Sequence, residues 1–335
     1  MPVYNAQEYL EDSIQSVLNQ TFKGFEFIIL DDGSTDLSLP IIEKWGAMDR
    51  RIRIVNHQHT GLSALLRMGL NHAKGEFIAR MDADDISLPE RFERQINFFQ
   101  RHAEVGTCGT WMRMFGQKSG VMKPPLDDAR IKACLLFACP MMHPTVMMRR
   151  SMLTESNINY SESARWTEDY DLWTRLAPHT QFANLPELLL LYRTHNAQVS
   201  TEKQEEQRRN AGACRSRFLQ ALGFECTAQE LDRHEQVCNA TQSVRTEELM
   251  AMHDWLMKLR EKAGRSPLFC KKALCTEIMK RWTVTCRNSK FKNPALWNLY
   301  KGSTLGPCDM ESFIMRARLW AECHFKSRGC RRDEI

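Results

Sequence analysis

The first hundred residues change hydrophobic period several times, and each change falls where a strand would hand over to a helix. Tyr9, Leu10, Ile14, Val17 and Leu18 recur at helical spacing behind Asn5, which suits the cap of a helix over about 6–19. The run from Phe25 to Leu30 is short and apolar, reads as a strand, and ends directly in the turn Asp31-Asp32-Gly33-Ser34-Thr35-Asp36. A helix through Ile41, Ile42 and Trp45, a strand from Ile52 to Val55, a helix from Leu62 to Ala73 and a strand from Phe77 to Met81 follow. The last strand runs into Asp82-Ala83-Asp84-Asp85. Repeated strand, helix and strand requires crossover connections, which predicts an α/β fold with a mixed, mostly parallel sheet flanked by helices. Ligands of such sheets bind beyond the carboxyl ends of the strands, where both aspartate clusters fall.

Further on, the pattern predicts a helix from Leu88 to Arg101, short strands near Val105 to Gly109 and Pro144 to Met148, a helix through Asp169 to Leu176 and a strand from Leu188 to Arg193. Beyond Ser200 the texture changes to polar helices separated by Gly223, Gly264, Pro267, Pro294 and Gly306. The boundary is placed near Asn196 to Lys203, giving a domain over 1–200 and a C-terminal α-helical extension over 201–335. Within the extension, Leu249, Met252, Leu256 and Leu259 share one helical face, the pattern of a helix packed on a neighbour.

At 335 residues, 43% hydrophobic and 26% charged, the chain is too long for a small stapled scaffold and too apolar for disorder. Its net charge of +5 is unevenly spread: 25 basic side chains face 17 acidic ones after Ser200, against 21 and 24 before it. Lys258 to Lys292 holds eleven Lys or Arg with only Glu261 and Glu277 as acids, a field suited to an anionic membrane face or to a solvated helix surface. No basic and apolar leader opens the sequence, and no apolar stretch approaches the roughly 18 residues of a membrane span. The expected location is cytoplasmic, with peripheral contact at the inner membrane face, and the twelve cysteines are expected to be reduced. The close pairs Cys134 with Cys139 and Cys270 with Cys275 have no zinc-site partner pair.

Four motifs carry chemistry. Asp82, Asp84 and Asp85 crowd three carboxylates after a buried strand, which calls for a hard divalent cation, Mn²⁺ or Mg²⁺; the same residues also suit a turn that caps the next helix. The Asp31 to Asp36 cluster supplies either turn chemistry or an acceptor for a base N–H or ribose hydroxyl. Glu168 and Asp169 open a helix whose apolar face includes Leu172, Trp173 and Leu176, where acids also complement the helix dipole. His195 follows a strand and is either a ligand or an ordinary surface or core histidine. Neither a Walker A loop nor a G-x-G-x-x-G fingerprint is present, which argues against P-loop NTPases and dinucleotide oxidoreductases.

Taken in order, MPVYNAQEYLEDSIQSVLNQT, FEFIILDDGSTD, GEFIARMDADD, HPTVMMRR, TEDYDLWTRLA and YRTHNAQVS resemble the family 2 glycosyltransferases of the GT-A fold over about 1–200. The resemblance implies an inverting, metal-dependent transfer of one sugar at a time from a nucleotide-sugar donor, UDP-linked in preference to GDP- or dTDP-linked. The acceptor it implies is a hydroxyl of a glycan or a lipid-linked sugar, with no nucleic-acid partner. It places Pro2, Val3 and Tyr4 at the nucleotide base, Asp32 on the base N–H, and Asp82 on ribose or metal. Asp84 becomes the principal metal ligand, or Asp85 if the register slides by one, and His195 a further metal or diphosphate contact, with Arg193 as an alternative diphosphate contact. Asp169 resembles the catalytic base, and Glu168 a neighbour that positions the acceptor or raises that base's pKa.

Three departures from the family pattern stand out. Relatives carry several residues of a first strand before the MPVYN block, so either that edge is shortened or the start lies upstream. Arg67 occupies a position that is commonly small and polar. The Q-x-x-R-W block of processive synthases is missing, since Arg165 and Trp166 lack the glutamine. Two other functions fit less of the pattern: a catalytically silent nucleotide- or glycan-binding subunit, and a sugar-phosphate nucleotidyltransferase, which would carry a Gly-rich basic loop after the first strand.

Overall fold

The structure, a computed structural model, describes residues 1–195, 203–239, 246–289, 292–303, 305 and 310–325. Strand β1 (Pro2–Val3) leads into helix α1 (Leu10–Leu18), whose buried Leu10, Ile14, Val17 and Leu18 form the apolar stripe expected from their spacing. The helix starts later than a cap at Asn5 would place it. Asn5 instead has a left-handed backbone (φ 49°), and its Oδ1 accepts from the Thr35 backbone N–H at 2.8 Å, so its side chain serves the neighbouring turn. Next come β2 (Phe27–Asp31), α2 (Ser38–Met48), β3 (Ile52–Asn56) and α3 (Leu62–His72). The three strands form a parallel sheet with β2 in the middle, in register so that Val3, Asp31 and Asn56 lie side by side at the carboxyl ends. Ile29 and Leu30, on opposite faces of β2, are both buried, as a strand covered on two sides requires.

A second sheet is built from β4 (Phe77–Ala79), β5 (Ile86–Ser87), β6 (Val105–Gly116), β7 (Gly120–Met122), β8 (Met147–Arg149) and β9 (Gln181–Thr194). Its order is β4-β8-β6-β9-β5, with β7 on the edge of β6; β6 and β9 run parallel and the other pairs antiparallel. Between the strands lie α4 (Arg91–Arg101), α5 (Asp128–Leu135), α6 (Arg150–Ser156) and α7 (Glu168–Leu176). Strands β6 and β9 are far longer than their apolar runs suggest. Register shifts interrupt their pairing between Thr110 and Met112, opposite the Pro186-Glu187 step, because a proline has no N–H for the ladder. Their close approach depends on Gly109, where an added Cβ would lie 2.2 Å from Asn184 Oδ1.

A polar knot ties together the β4, β8 and β6 side of this sheet. Arg91 and Gln95, one turn apart on α4, are wholly buried. Arg91 donates to the carbonyl oxygens of Arg80 at 2.7 Å and Val146 at 3.3 Å, and Gln95 Nε2 to those of Cys108 at 2.7 Å and Thr145 at 2.9 Å. Burial lowers the Arg91 pKa to about 9, which leaves the guanidinium charged at neutral pH.

The chain divides into two compact units, Met1–Ile131 with Cys139–Cys214, and Lys132–Ala138 with Arg215–Ile335. The boundary read from the sequence, Asn196 to Lys203, lies over 196–202 outside the described residues, as does Gly306. Helix α8 (Gln204–Ala221) contributes to both units, and α9 (Ala228–Cys238), α10 (Thr246–Ala263), α11 (Lys271–Arg287), α12 (Pro294–Gly302) and α13 (Met310–Phe325) complete the second. Within that unit Leu249, Met252, Leu256 and Leu259 are buried, as one packed face demands, and Trp282 is wholly enclosed. His234 Nε2 donates to Leu136 O at 2.8 Å and its Nδ1 accepts the Trp255 indole N–H at 3.1 Å; burial drives its pKa down to about 4, so the ring is neutral. No described helix is long and apolar enough to cross a membrane, and every described cysteine is a free thiol.

Replacing Gln95 by Leu strands two carbonyls and one Arg91 N–H in the core. At about 1–3 kcal/mol for each buried group left unpaired, partly relieved by relaxation, we expect a loss of roughly 2–4 kcal/mol. Urea unfolding at neutral pH measures it, and an unchanged midpoint would show that the knot is dispensable.

Candidate active site

The carboxyl ends of β1 and β2 form one wall. Asp31 and Asp32 are each only 2% exposed. Asp31 Oδ2 accepts the backbone N–H groups of Gly33 and Ser34, both at 3.1 Å, and its Oδ1 is buried with no hydrogen-bond partner among the described residues. Gly33 supplies the positive φ (73°) this turn needs. The Asp32 carboxylate is wrapped by the following loop: Thr60 N–H at 2.9 Å, Gly61 N–H at 3.0 Å and His59 Nδ1 at 2.9 Å. The residue the sequence assigned to a base N–H is thus already engaged. Pro2 and Val3 are buried in the strand, whereas Tyr4 is 48% exposed and its ring lies against His59, centroids 4.3 Å apart.

The acidic turn between β4 and β5 is the centre of the site. One carboxylate oxygen from each of Asp82, Asp84 and Asp85 lies within 4.8 Å of the others. Their environments differ. Asp85 is fully buried, with Oδ1 accepting the Arg193 N–H at 2.9 Å and Oδ2 without a hydrogen-bond partner among the described residues; burial first, then the charges of Asp82 and Asp84, push its pKa well above the usual range. Burial likewise raises Asp82, with Asp84 adding to it, despite the ion pair that Asp82 makes with Arg80. Asp84 is about a quarter exposed and its Oδ2 is 3.0 Å from His195 Nε2. The pairing of Ile86 with Leu191 brings His195, next after β9, across to the acidic turn. Three mutually repelling carboxylates and an imidazole fit a hard divalent cation, since oxygen donors with room for substrate oxygens are what Mg²⁺ and Mn²⁺ take.

Arg193 is a clamp in this arrangement. Its Nε donates to the Asp84 carbonyl oxygen at 2.8 Å, its guanidinium pairs with Asp12 at 3.2 Å, and the same group lies over the rings of Tyr9 and Phe115. Tyr9 in turn packs on His195, ring centroids 4.8 Å apart. At the far end of β6, Gly116 takes φ 93°, and an added Cβ would sit 2.6 Å from the Thr194 carbonyl oxygen.

The second wall is the first turn of α7. Trp166, just before it, has a left-handed backbone (φ 65°), and its carbonyl and that of Arg165 are held by Gln207 Nε2 at 3.1 Å and Asn210 Nδ2 at 2.7 Å from α8. Glu168 is 6% exposed, its Oε2 is buried with no hydrogen-bond partner among the described residues, and burial, reinforced by the Asp169 charge, raises its pKa to about 7. Asp169 is half-buried; its Oδ1 accepts the Tyr170 N–H at 2.7 Å and its Oδ2 the Cys139 thiol at 3.5 Å, and burial raises its pKa too. Tyr160 is buried and paired with His143 at 2.8 Å, and the charges of Arg80, Asp169, Glu168 and Asp82 all bear on its phenol.

Sequence reasoning missed Arg80, Tyr160, His143 and Cys139. One signal was available: a single arginine inside the otherwise apolar run Phe77 to Met81 is a buried charge in need of a partner. Arg67, by contrast, is exposed and pairs with Glu162 at 3.1 Å.

Residues 1–156 match the family model "Glycosyl transferase family 2". The chain is 31% identical to an uncharacterized glycosyltransferase of Haemophilus influenzae, over 62% of its own length and 68% of the relative's. It is 32% identical to the O-antigen biosynthesis glycosyltransferase WbnJ of Escherichia coli, over 61% of its own length and 80% of that protein's. Among solved structures, S. aureus TarS 1–349 in complex with UDP-GlcNAc superposes with a TM-score of 0.54 at 19% identity, covering 85% of this chain and 88% of that one, a likeness of fold.

The Glu168 carboxyl yields a pH signature. With a folded pKa near 7 against about 4.3 in the unfolded chain, ionising it costs stability, and that cost grows from about pH 4.5 to 7 and then levels off. Glu168→Gln removes it, so the variant's stability gain over wild type should rise across that window to a few kcal/mol at most. Urea midpoints at pH 4.5, 6, 7 and 8.5 test this, and a gain independent of pH would contradict it.

Proposed function

This chain belongs to glycosyl transferase family 2 and is a GT-A-fold glycosyltransferase that uses a nucleotide sugar, and from that premise we propose a divalent-cation-dependent, inverting transfer of one sugar to a hydroxyl of a glycan or lipid-linked acceptor. The observation that carries the proposal is the convergence of the acidic turn, with Asp84 against His195, and the Glu168-Asp169 dyad around one cluster of charges. A UDP-linked donor is favoured because the structurally similar TarS binds UDP-GlcNAc. A cell-surface polysaccharide acceptor is favoured by relatives named for O-antigen and amylovoran biosynthesis.

In this reading Pro2, Val3 and Tyr4 line the base, with the exposed Tyr4 ring as the stacking surface and the Asp31-Asp32 pair supplying acceptor oxygens. Asp84 and His195 hold the cation, with Asp82 toward ribose or metal. Asp85 is the weaker candidate for the cation because its carboxylate is wholly buried and accepts the Arg193 N–H. When bound, the ion stabilises negative charge on the departing diphosphate. Asp169 takes the proton of the acceptor hydroxyl as that oxygen attacks the anomeric carbon; the bond to the diphosphate breaks and its electron pair leaves with the nucleotide. One base and a single displacement invert the anomeric centre. Arg193 acts by holding the acidic turn rather than by touching diphosphate, since its guanidinium is committed to Asp84 O and Asp12.

Calorimetry of UDP binding with and without Mn²⁺, repeated on Asp84→Ala, tests the donor side: binding that needs manganese and is lost in the variant is expected. Asp169→Asn should lower transfer by roughly 100- to 10,000-fold while leaving UDP affinity within a few-fold of wild type. An active Asp169→Asn enzyme would remove it as the base.

For the C-terminal region we propose a peripheral role at an anionic membrane face, supported by its basic surplus, though Lys258, Arg265, Arg281 and Arg287 are each already paired with a carboxylate. Sedimentation with phosphatidylglycerol vesicles should then be lost between 0.05 and 0.5 M salt, about what screening of surface charge predicts. No vesicle binding at low salt would end the idea.

A further inference from the structure

We propose that Arg80 is a positioning residue of the transfer reaction, a single buried guanidinium that fixes Asp82 in the acidic turn and sets the electrostatic environment of the Glu168-Asp169 dyad. The inference rests on the functional reading above and extends it to a residue that touches neither donor nor acceptor in that reading.

Four observations carry it. Arg80 is 8% exposed, and its side chain makes an ion pair with Asp82. Its backbone is pinned on both sides, the N–H donating to Val146 O at 2.9 Å and the carbonyl accepting from Arg91 at 2.7 Å, so the position of its charge is set by β8 and α4. Its Nε is buried without a hydrogen-bond partner among the described residues, a cost that a residue kept for stability alone would not carry, since buried charges are seldom more stabilising than apolar side chains of similar volume. Finally, its charge is within electrostatic reach of both walls, of Asp82 in the turn, with which it pairs, and of Glu168 and Asp169 in the dyad.

The groups facing Asp169 are Glu168 on its own helix, the Cys139 thiol from the segment after α5, Tyr160 from the segment before α7, and Arg80 from the end of β4. Among these described groups Arg80 is the cation that the chain itself supplies. Without it, the carboxylate that must be unprotonated to accept the hydroxyl proton sits among acids, a phenol and a thiol, and holds its own proton to higher pH. The acidic limb of the rate profile therefore moves up.

The test compares wild type, Arg80→Gln and Arg80→Lys in the full chain with Mn²⁺. It reads release of UDP from UDP-glucose, UDP-galactose and UDP-N-acetylglucosamine from pH 5.5 to 9, with circular dichroism as the check of folding. Arg80→Gln should lower kcat by roughly 10- to 100-fold, with the acidic limb displaced upward by about one pH unit. Arg80→Lys, which keeps the charge and loses the fork, should keep the wild-type limb while the donor KM rises several-fold. Wild-type kcat in Arg80→Gln, or equal losses in both variants with an unmoved limb, overturns the proposal in favour of a structural role. Should Arg80→Gln fail to fold, Arg80→Lys decides by itself: a displaced limb or an unchanged donor KM refutes it. If the wild type releases UDP from none of the donors, the proposed UDP-linked donor fails and this inference with it; an active wild type with normal Arg80 variants isolates the failure to Arg80.

Discussion

Like charges brought close together at the ends of strands are the constraint around which the first unit is arranged. Asp82, Asp84 and Asp85 are held with oxygens within 4.8 Å of one another, and the protein offsets that repulsion from three directions. Arg80 supplies a buried cation to Asp82, the Arg193 backbone donates to Asp85, and His195 faces Asp84. Arg80 follows β4, whereas Arg193 and His195 stand at the end of β9, so β4, β5 and β9 have to meet for the acidic turn to be tolerated at all. What remains uncompensated is the buried Asp85 Oδ2, which has no hydrogen-bond partner among the described residues.

The same economy explains why charged residues lie in the core here. Arg91 and Gln95 tie the carbonyls of Arg80, Cys108, Thr145 and Val146 into one assembly, and Arg80 is then presented at a fixed height below the turn. A softer core would let the arginine follow Asp82 rather than hold it. Rigidity in the polar interior is thus what turns an ion pair into a constraint on geometry.

Much of the first unit was legible because its helices and strands differ in period. The α1 stripe, the β2 run and the paired aspartates all stand where spacing puts them, and the order of motifs was enough to name the family. The rest was hidden for physical reasons. Strands β6 and β9 extend through glycine, threonine and a proline whose pairing partners are far away in sequence, so no local pattern marks their length. The helix start at Leu10 was lost because Asn5 serves the Thr35 N–H. At the site, residues contributed by strand ends were visible, since acids after an apolar run stand out. Tyr160, His143 and Cys139 were not, because they act only through neighbours that the fold assembles.

Asp32 has a consequence of a different kind. Its carboxylate is aimed by the backbone of Thr60 and Gly61 and by His59, on a segment whose side chains from 57 to 60 are exposed. Two descendants of this chain could keep every acidic residue identical and still diverge in what they recognise, because the inherited difference would reside in the loop that points the carboxylate. Comparing only the conserved letters of such lineages would count them as the same enzyme.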